Sequence, residues 1–272
     1  MPISTSLPVG TIRNSKITER LASFRFVSDP RWARARATWE IQQRQRYRPV
    51  EDLEKSRAAA SRDIQARAGD ATRDAYIWAT EHTETYNEHW VEEHRPSPYE
   101  RFPQYDYFRD LFDTFECEQI TWIEKSRDLM VSWACVAYLT LNAMRVPHRG
   151  VLLQTQKDDK VIQLVEYAKC LYRRQPTWLQ DAYPLTKPVD QQPGHSLSFA
   201  ADGYVVGIPG GADQIRSYHP WGYLNDESSF QPDAGECYNE ALSAVRGKVI
   251  FNSSAGPSWY ADARRDIIRT TD

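Results

Sequence analysis

Between residues 119 and 254 the sequence alternates short, almost continuously apolar runs with longer segments of helical character. No other feature constrains the fold as strongly. "QITWIE" (119–124), "GVLLQT" (150–155), "WGYLND" (221–226) and "GKVIFNSS" (247–254) read as strands, and "SWACVAYLTLNAM" (132–144), "KDDKVIQLVEYAKCLYRR" (157–174) and "AGECYNEALSAV" (234–245) as helices. "SLSFA" (196–200) and "YVVGIP" (204–209), joined by "ADG", read as a hairpin. Strands that are apolar on both faces are covered on both faces, so the pattern predicts an α/β fold with a mostly parallel central sheet flanked by helices. In such sheets ligands bind beyond the carboxyl ends of the strands. Three polar clusters fall there, at 125–132, 225–227 and 252–255.

With 272 residues, 41% of them hydrophobic, the chain is long enough for one large domain or two small ones. It has no apolar run of membrane-spanning length and no secretory pattern at its start. Cys117, Cys135, Cys170 and Cys237 lie far apart, which argues against a zinc knuckle and a disulfide framework and makes a reducing cytoplasm the default setting. The net charge of −3 excludes a generic polyanion binder, but residues 11–48 hold ten Arg or Lys against three acids. Such an arm suits DNA phosphates, an acidic partner, or simply a solvated terminus. Residues 50–95 read as helix, and "RPSPYERFPQYDYF" breaks it with three prolines and four aromatics. The division expected is a basic arm and helical N-terminal region over 1–95 and a second domain over 96–272. His82, His89 and His94, spaced by seven and five among glutamates, fit a surface helix better than a metal site. The nine tryptophans fit a core better than a set of stacking platforms for DNA.

The first cluster lies in "EKSRDLMVSW" (124–133), between a strand and a helix. Laid over the phosphate-loop pattern G-x-x-x-x-G-K-[ST], it has Lys125 for the first Gly, Met130 for the second and Val131 for the lysine, and only Ser132 matches. It is either a nucleotide site with a relocated lysine or an ordinary strand–turn–helix. For the first reading, a helix start offers free N–H groups to phosphate, Ser132 offers a hydroxyl to Mg²⁺, and Lys125 and Arg127 supply the cations. The second cluster, "WGYLNDE", ends an apolar strand in adjacent carboxylates, the arrangement of a Walker B strand. Asp226 is placed to hold Mg²⁺ and Glu227 to act on the attacking water. The third, "VIFNSSAGPS", offers Asn252, Ser253 and Ser254 as γ-phosphate sensors; its bland alternative is a serine-rich turn.

In this order, "EKSRDLMVSW", "YLNDE" and "FNSSA" resemble the N-terminal ATPase domain of the large terminase subunit of tailed bacteriophages. Lys125, Ser126, Arg127 and Ser132 match a deviant Walker A, K-S-R-x-x-G-x-S/T, found in some terminases. The resemblance covers about residues 95–256. It implies a P-loop ATPase of the additional-strand, RecA-like type that uses ATP and Mg²⁺ to package double-stranded DNA into a preformed capsid. Phosphate contact then falls to the loop Lys125, Ser126, Arg127, Asp128, Leu129, Met130, Val131 and Ser132, with Ser253 and Ser254 opposite. Adenine contact falls to "RFPQYDYF", through Gln104, Tyr105 and Phe108, unless that stretch is a packing corner. Arg127 matches a cis arginine finger, though the family also uses fingers in trans. Arg216, in "GGADQIRSYHP", becomes a candidate for DNA or a neighbouring subunit. Metal ligation falls to Ser132 and Asp226, and catalysis to Glu227, Lys125 and Arg127. The implied partners are double-stranded DNA, the portal protein, the small terminase subunit and further copies in a ring, with a monomer in isolation. The implied setting is the host cell cytoplasm rather than the mature virion. Two departures stand out: Met130 replaces a glycine, and nothing after residue 256 resembles the clustered acids of an RNase H-like nuclease, so the chain reads as the ATPase part alone. A helicase-like nucleic-acid-dependent ATPase and a non-hydrolysing DNA-binding or scaffold module are the competing readings.

Overall fold

The computed structural model describes residues 50–88, 90–91, 96–256 and 258–271. The chain forms two units, 1–60 and 61–272. The basic arm at 11–48 lies outside the described residues, as do His89 and His94. Helix α1 (Val50–Ala71) is followed by α2 (Ala75–His82). The single helix expected over 50–95 is therefore interrupted at 72–74. The cause is local: the Asp74 carboxylate accepts a hydrogen bond from the Ile77 N–H at 3.0 Å and starts a new helix. The helical segment also ends early, at His82, and an antiparallel pair β1 (Glu84–Tyr86) and β2 (Tyr99–Arg101) follows. His82 packs edge-on against Trp178.

Helix α3 (Asp106–Cys117) begins inside the proline–aromatic stretch that reads as a break. Phe108, Phe112 and Phe115 recur at helical spacing and are all buried. Then the expected alternation appears: β3 (Ile120–Lys125), α4 (Val131–Arg145), β4 (Gly150–Gln154) and α5 (Asp158–Arg174). After the short helix α6 (Thr177–Ala182) come β5 (Ser196–Ser198), β6 (Tyr204–Ile208) and the one-turn α7 (Asp213–Arg216). The series closes with β7 (Gly222–Asp226), α8 (Ala234–Ala244), β8 (Lys248–Ser254) and α9 (Trp259–Thr271). No described helix is long and apolar enough to cross a membrane.

The main sheet has the order β3-β8-β7-β4-β6-β5. All neighbours are parallel except β5, which pairs antiparallel with β6 as the hairpin signal requires. The two-residue period of the strands divides the core into two layers. Val151, Leu153, Leu224 and Ile250 face the layer filled by α2 to α5, including Trp78, Trp133 and Leu139. Leu152, Tyr223, Val249 and Phe251 face the other, with Cys237 and Ala241 of α8 and Tyr260 of α9. Helix α4 is buried along nearly its whole surface, which explains why its sequence is apolar all round. Trp78, Trp122, Trp133, Trp178, Trp221 and Trp259 are core residues or pack against the core.

The hairpin turn brings the backbone at Gly203 against α4. A Cβ there would lie 2.0 Å from the carbonyl oxygen of Ala143, while Asp202 takes the left-handed conformation at φ 60°. Gly203→Ala is therefore expected to destabilise the chain by about 1–3 kcal/mol, since backbone must move. Gly194→Ala, with open space around the added methyl, should be close to neutral. Urea denaturation of both variants tests this; equal stabilities would contradict the close approach.

Candidate active site

The sheet order brings the three polar clusters together. Strand β8 lies between β3 and β7, so the residues at the end of β8 sit between the other two strand ends. Lys125 is in register with Ser254, and Asp226 with Asn252. Helix α4 starts at the same edge, and no side chain caps its first turn, which leaves those N–H groups facing the opening.

Two linked sets of hydrogen bonds result. In the first, the Ser132 hydroxyl donates to Asp226 Oδ1 at 3.0 Å, and Asn252 Nδ2 donates to the same oxygen at 2.6 Å. Asn252 Nδ2 also lies 3.3 Å from Ser132 Oγ. In the second, Lys125 Nζ meets Glu227 Oε1 at 3.1 Å, and the Ser254 hydroxyl donates to Glu227 Oε2 at 3.0 Å. Ser253 points the other way along β8; it is buried, and its hydroxyl accepts from the Ser229 N–H at 3.0 Å. Asn252 Oδ1 is buried with no partner among the described residues.

Burial is the main reason the Asp226 carboxyl titrates abnormally. Its pKa is pushed up to about 6, with Glu227 adding repulsion and Lys125, Ser132 and Asn252 opposing the shift. A hydroxyl and a carboxylate at 3.0 Å suit Mg²⁺, which takes one or two protein oxygens and completes its shell from phosphate and water. No cluster of three His, Cys, Asp or Glu side chains that would hold a different metal occurs among the described residues.

The loop before α4 follows the expected path with strained residues. Asp128 and Met130 have φ of 63° and 52°, in the left-handed region. Met130 stands where the phosphate-loop pattern has its second glycine, so the chain keeps a glycine-like backbone with a side chain on it. Val131, at the usual lysine position, is buried in the core, and no cation can extend from there. Ser126, Arg127, Asp128 and Leu129 are exposed. Arg127 makes no hydrogen bond or ion pair among the described residues. Tyr107, which sequence reasoning passes over, donates to the Leu129 carbonyl at 3.0 Å and ties α3 to this loop. Tyr105 stacks on Tyr107 and is half exposed, and Gln104 is exposed beside it. Phe108 is fully buried in the core, so the suggestion that it contacts adenine is corrected. Arg216 is exposed and pairs with Glu240 at 2.6 Å and Asp213 at 3.1 Å.

The fold and site together define an α/β RecA-like class in which an additional strand separates the phosphate-loop strand from the Asp-Glu strand. The structure is similar to that of the large terminase of bacteriophage HK97, with a TM-score of 0.54 and 10% sequence identity. That likeness covers 74% of this chain and 42% of the HK97 chain, so this chain spans less than half of that protein. Also similar is the ATPase domain of the Thermus phage P74-26 large terminase, with a TM-score of 0.41, 12% identity and coverage of 59% of this chain and 69% of that one. A third is the large terminase of another thermophilic bacteriophage, in complex with ADP, at a TM-score of 0.35, 13% identity and coverage of 54% of this chain and 36% of that one. No family model matches the sequence, and no curated protein matches it.

Two expectations follow from the site. Met130→Gly should be more stable than Met130→Ala by about 1 kcal/mol, because Ala retains the left-handed cost that Gly lacks. Thermal denaturation compares the two, and the reverse order would contradict the strain. For Asp226, the folded pKa lies above the ordinary value of 3.8, so the charged carboxylate opposes folding. That cost is absent below about pH 4, grows as pH rises, and is complete above about pH 6. Asp226→Asn should therefore be more stable than the parent at pH 7, by on the order of 2 kcal/mol, with the gap closing toward pH 4. Denaturation curves at the two pH values check it; a gap that widens toward pH 4 would refute the assignment.

Proposed function

We propose that the chain is the ATPase motor part of a viral DNA-packaging terminase large subunit, coupling ATP hydrolysis to translocation of double-stranded DNA into a procapsid. The observation that carries this reading is the meeting of three strand ends. Lys125 and Ser254 converge on Glu227, and Ser132 and Asn252 on Asp226, at the carboxyl edge of an additional-strand sheet. The likeness to the HK97 large terminase supports the fold on which the reading depends.

In this reading Ser132 and Asp226 hold Mg²⁺ with the ATP phosphates, and the uncapped N–H groups of α4 receive the phosphate oxygens. When bound, the ion bridges phosphate oxygens and offsets the charge that develops on them. Glu227 takes a proton from the attacking water. Lys125 performs the phosphate-binding task that Val131 cannot. It must leave Glu227 to do so, and that departure frees the carboxylate for its role as base. Arg127, exposed on the loop, adds a second cation from this chain or toward a neighbouring subunit. Gln104 and Tyr105, joined to the loop through Tyr107, border the adenine. The proposed partners are DNA, the portal protein, the small terminase subunit and further copies of the chain in a ring, working in the host cell cytoplasm.

Glu227→Gln should keep nucleotide binding and lose turnover by roughly 10²–10⁴-fold. Lys125→Ala should lose transition-state stabilisation of about 3 kcal/mol or more. Nucleotide titrations and steady-state ATP hydrolysis, with and without double-stranded DNA, test both. Parent-like turnover in either variant would sink the assignment.

A further inference from the structure

Glu227 sits in a backbone conformation that requires support. Its φ and ψ are 56° and 43°, in the left-handed region, and its side chain is long and has no local bond to its own backbone. Such a conformation costs on the order of 1 kcal/mol and persists only where surrounding contacts determine it. The contacts come from a buried polar cluster behind the turn. Gln231 Nε2 donates to the Asp226 carbonyl oxygen at 2.7 Å and to Asn225 Oδ1 at 2.8 Å. The Ser228 hydroxyl lies 2.9 Å from the Asn225 carbonyl oxygen and 2.7 Å from Asn225 Oδ1. Asn225 Nδ2 reaches the Tyr223 hydroxyl at 2.8 Å, and Gln154 at 3.3 Å.

Asn225 is an expensive residue in this position. It is fully buried, on a strand buried along its whole length, where a leucine or valine would have no polar group to satisfy. Its side chain is spent on the turn and on the residues that brace the turn. Gln231 acts on one particular peptide. The carbonyl it holds belongs to the planar unit between Asp226 and Glu227, so fixing that oxygen fixes the plane and with it the direction in which the Glu227 side chain leaves the backbone. Without the donor, that peptide is free to rotate, Glu227 relaxes out of the left-handed region, and its carboxylate moves away from Lys125 and Ser254.

We propose that Gln231, braced by Asn225 and Ser228, is a positioning residue for hydrolysis that keeps the Glu227 carboxylate aimed at the attacking water. This rests on the ATPase reading above. Gln231 touches neither Lys125 nor Ser132, and its effect passes through the backbone of Glu227. Loss of the amide should therefore alter the chemical step and leave nucleotide binding alone.

The test uses the full chain and ATP with Mg²⁺. Gln231→Met, similar in length but without a donor, should lower kcat by about 100-fold, the scale of a misplaced reacting group, with KM for ATP unchanged. Gln231→Asn, polar but one methylene short of the Asp226 carbonyl, should do the same and serves if the methionine variant fails to fold. In a Glu227→Gln background, Gln231→Met should cause no further loss, because the group it positions is already gone. A folded Gln231 variant with parent kcat, a loss that falls on KM instead, or an equal further loss in the Glu227→Gln background would overturn the inference alone. A parent chain that does not hydrolyse ATP would overturn the ATPase reading, and this inference with it.

Discussion

Strand β8 is hydrogen-bonded on both sides, to β3 and to β7, and both pairings are parallel. Parallel neighbours end at the same edge of the sheet, so three carboxyl ends that lie far apart in the sequence come to lie side by side. Everything chemical in the molecule depends on that placement. Asn252 reaches Asp226 and Ser132 because it lies one strand from each, and Ser254 reaches Glu227 for the same reason. The two aliphatic and aromatic layers hold the three strands at this spacing. Trp122, Phe251, Trp259 and Tyr260 form a continuous aromatic group under β3 and β8, and the Tyr260 hydroxyl donates to the Ile123 carbonyl at 2.6 Å.

The cluster so formed is electrostatically uneven. Lys125 supplies one positive charge where Asp226 and Glu227 supply two negative ones at neutral pH, and Asp226 is nearly out of reach of water. Hydroxyl and amide donors reduce the imbalance but carry no net charge. A buried carboxylate with an incomplete set of counter-charges costs stability and attracts a cation, which is the condition a metal-dependent phosphoryl-transfer site needs. The strained backbones at Asp128, Met130 and Glu227 lie around the same edge. Stability has been given up there, while the layers beneath are packed without such exceptions.

Much of this is legible in the sequence. Continuous apolar runs at 150–155 and 221–226 report strands covered on both faces, and acids or hydroxyls directly after such runs report strand ends that open on a site. The elements that escape reading do so for local reasons. Asp74 interrupts a helical composition through one side-chain bond, which period and composition do not register. Helix α3 carries a clear Phe108–Phe112–Phe115 repeat, but the prolines and aromatics before it mask its start. Met130 and Glu227 adopt left-handed conformations that their residue types disfavour, so no propensity announces them. Tyr107 and Gln231 act through a hydroxyl and an amide on backbone carbonyls. Such contacts become visible only once α3 is placed beside the loop and the chain has turned after β7.

The alternation along β8 carries a consequence for how the chain can change. Asn252 and Ser254 face the polar cluster, whereas Ser253 turns to the opposite side and is bonded to the turn after β7. Phe251 belongs to the same side as Ser253 and fills the aromatic layer. Insertion or deletion of one residue in β8 would exchange these two sets, bringing a phenylalanine toward Asp226 and a carboxamide into the aromatics. Descendants of this chain can therefore vary residue by residue along the strand, but a length change there is closed to them unless the partner strands shift with it.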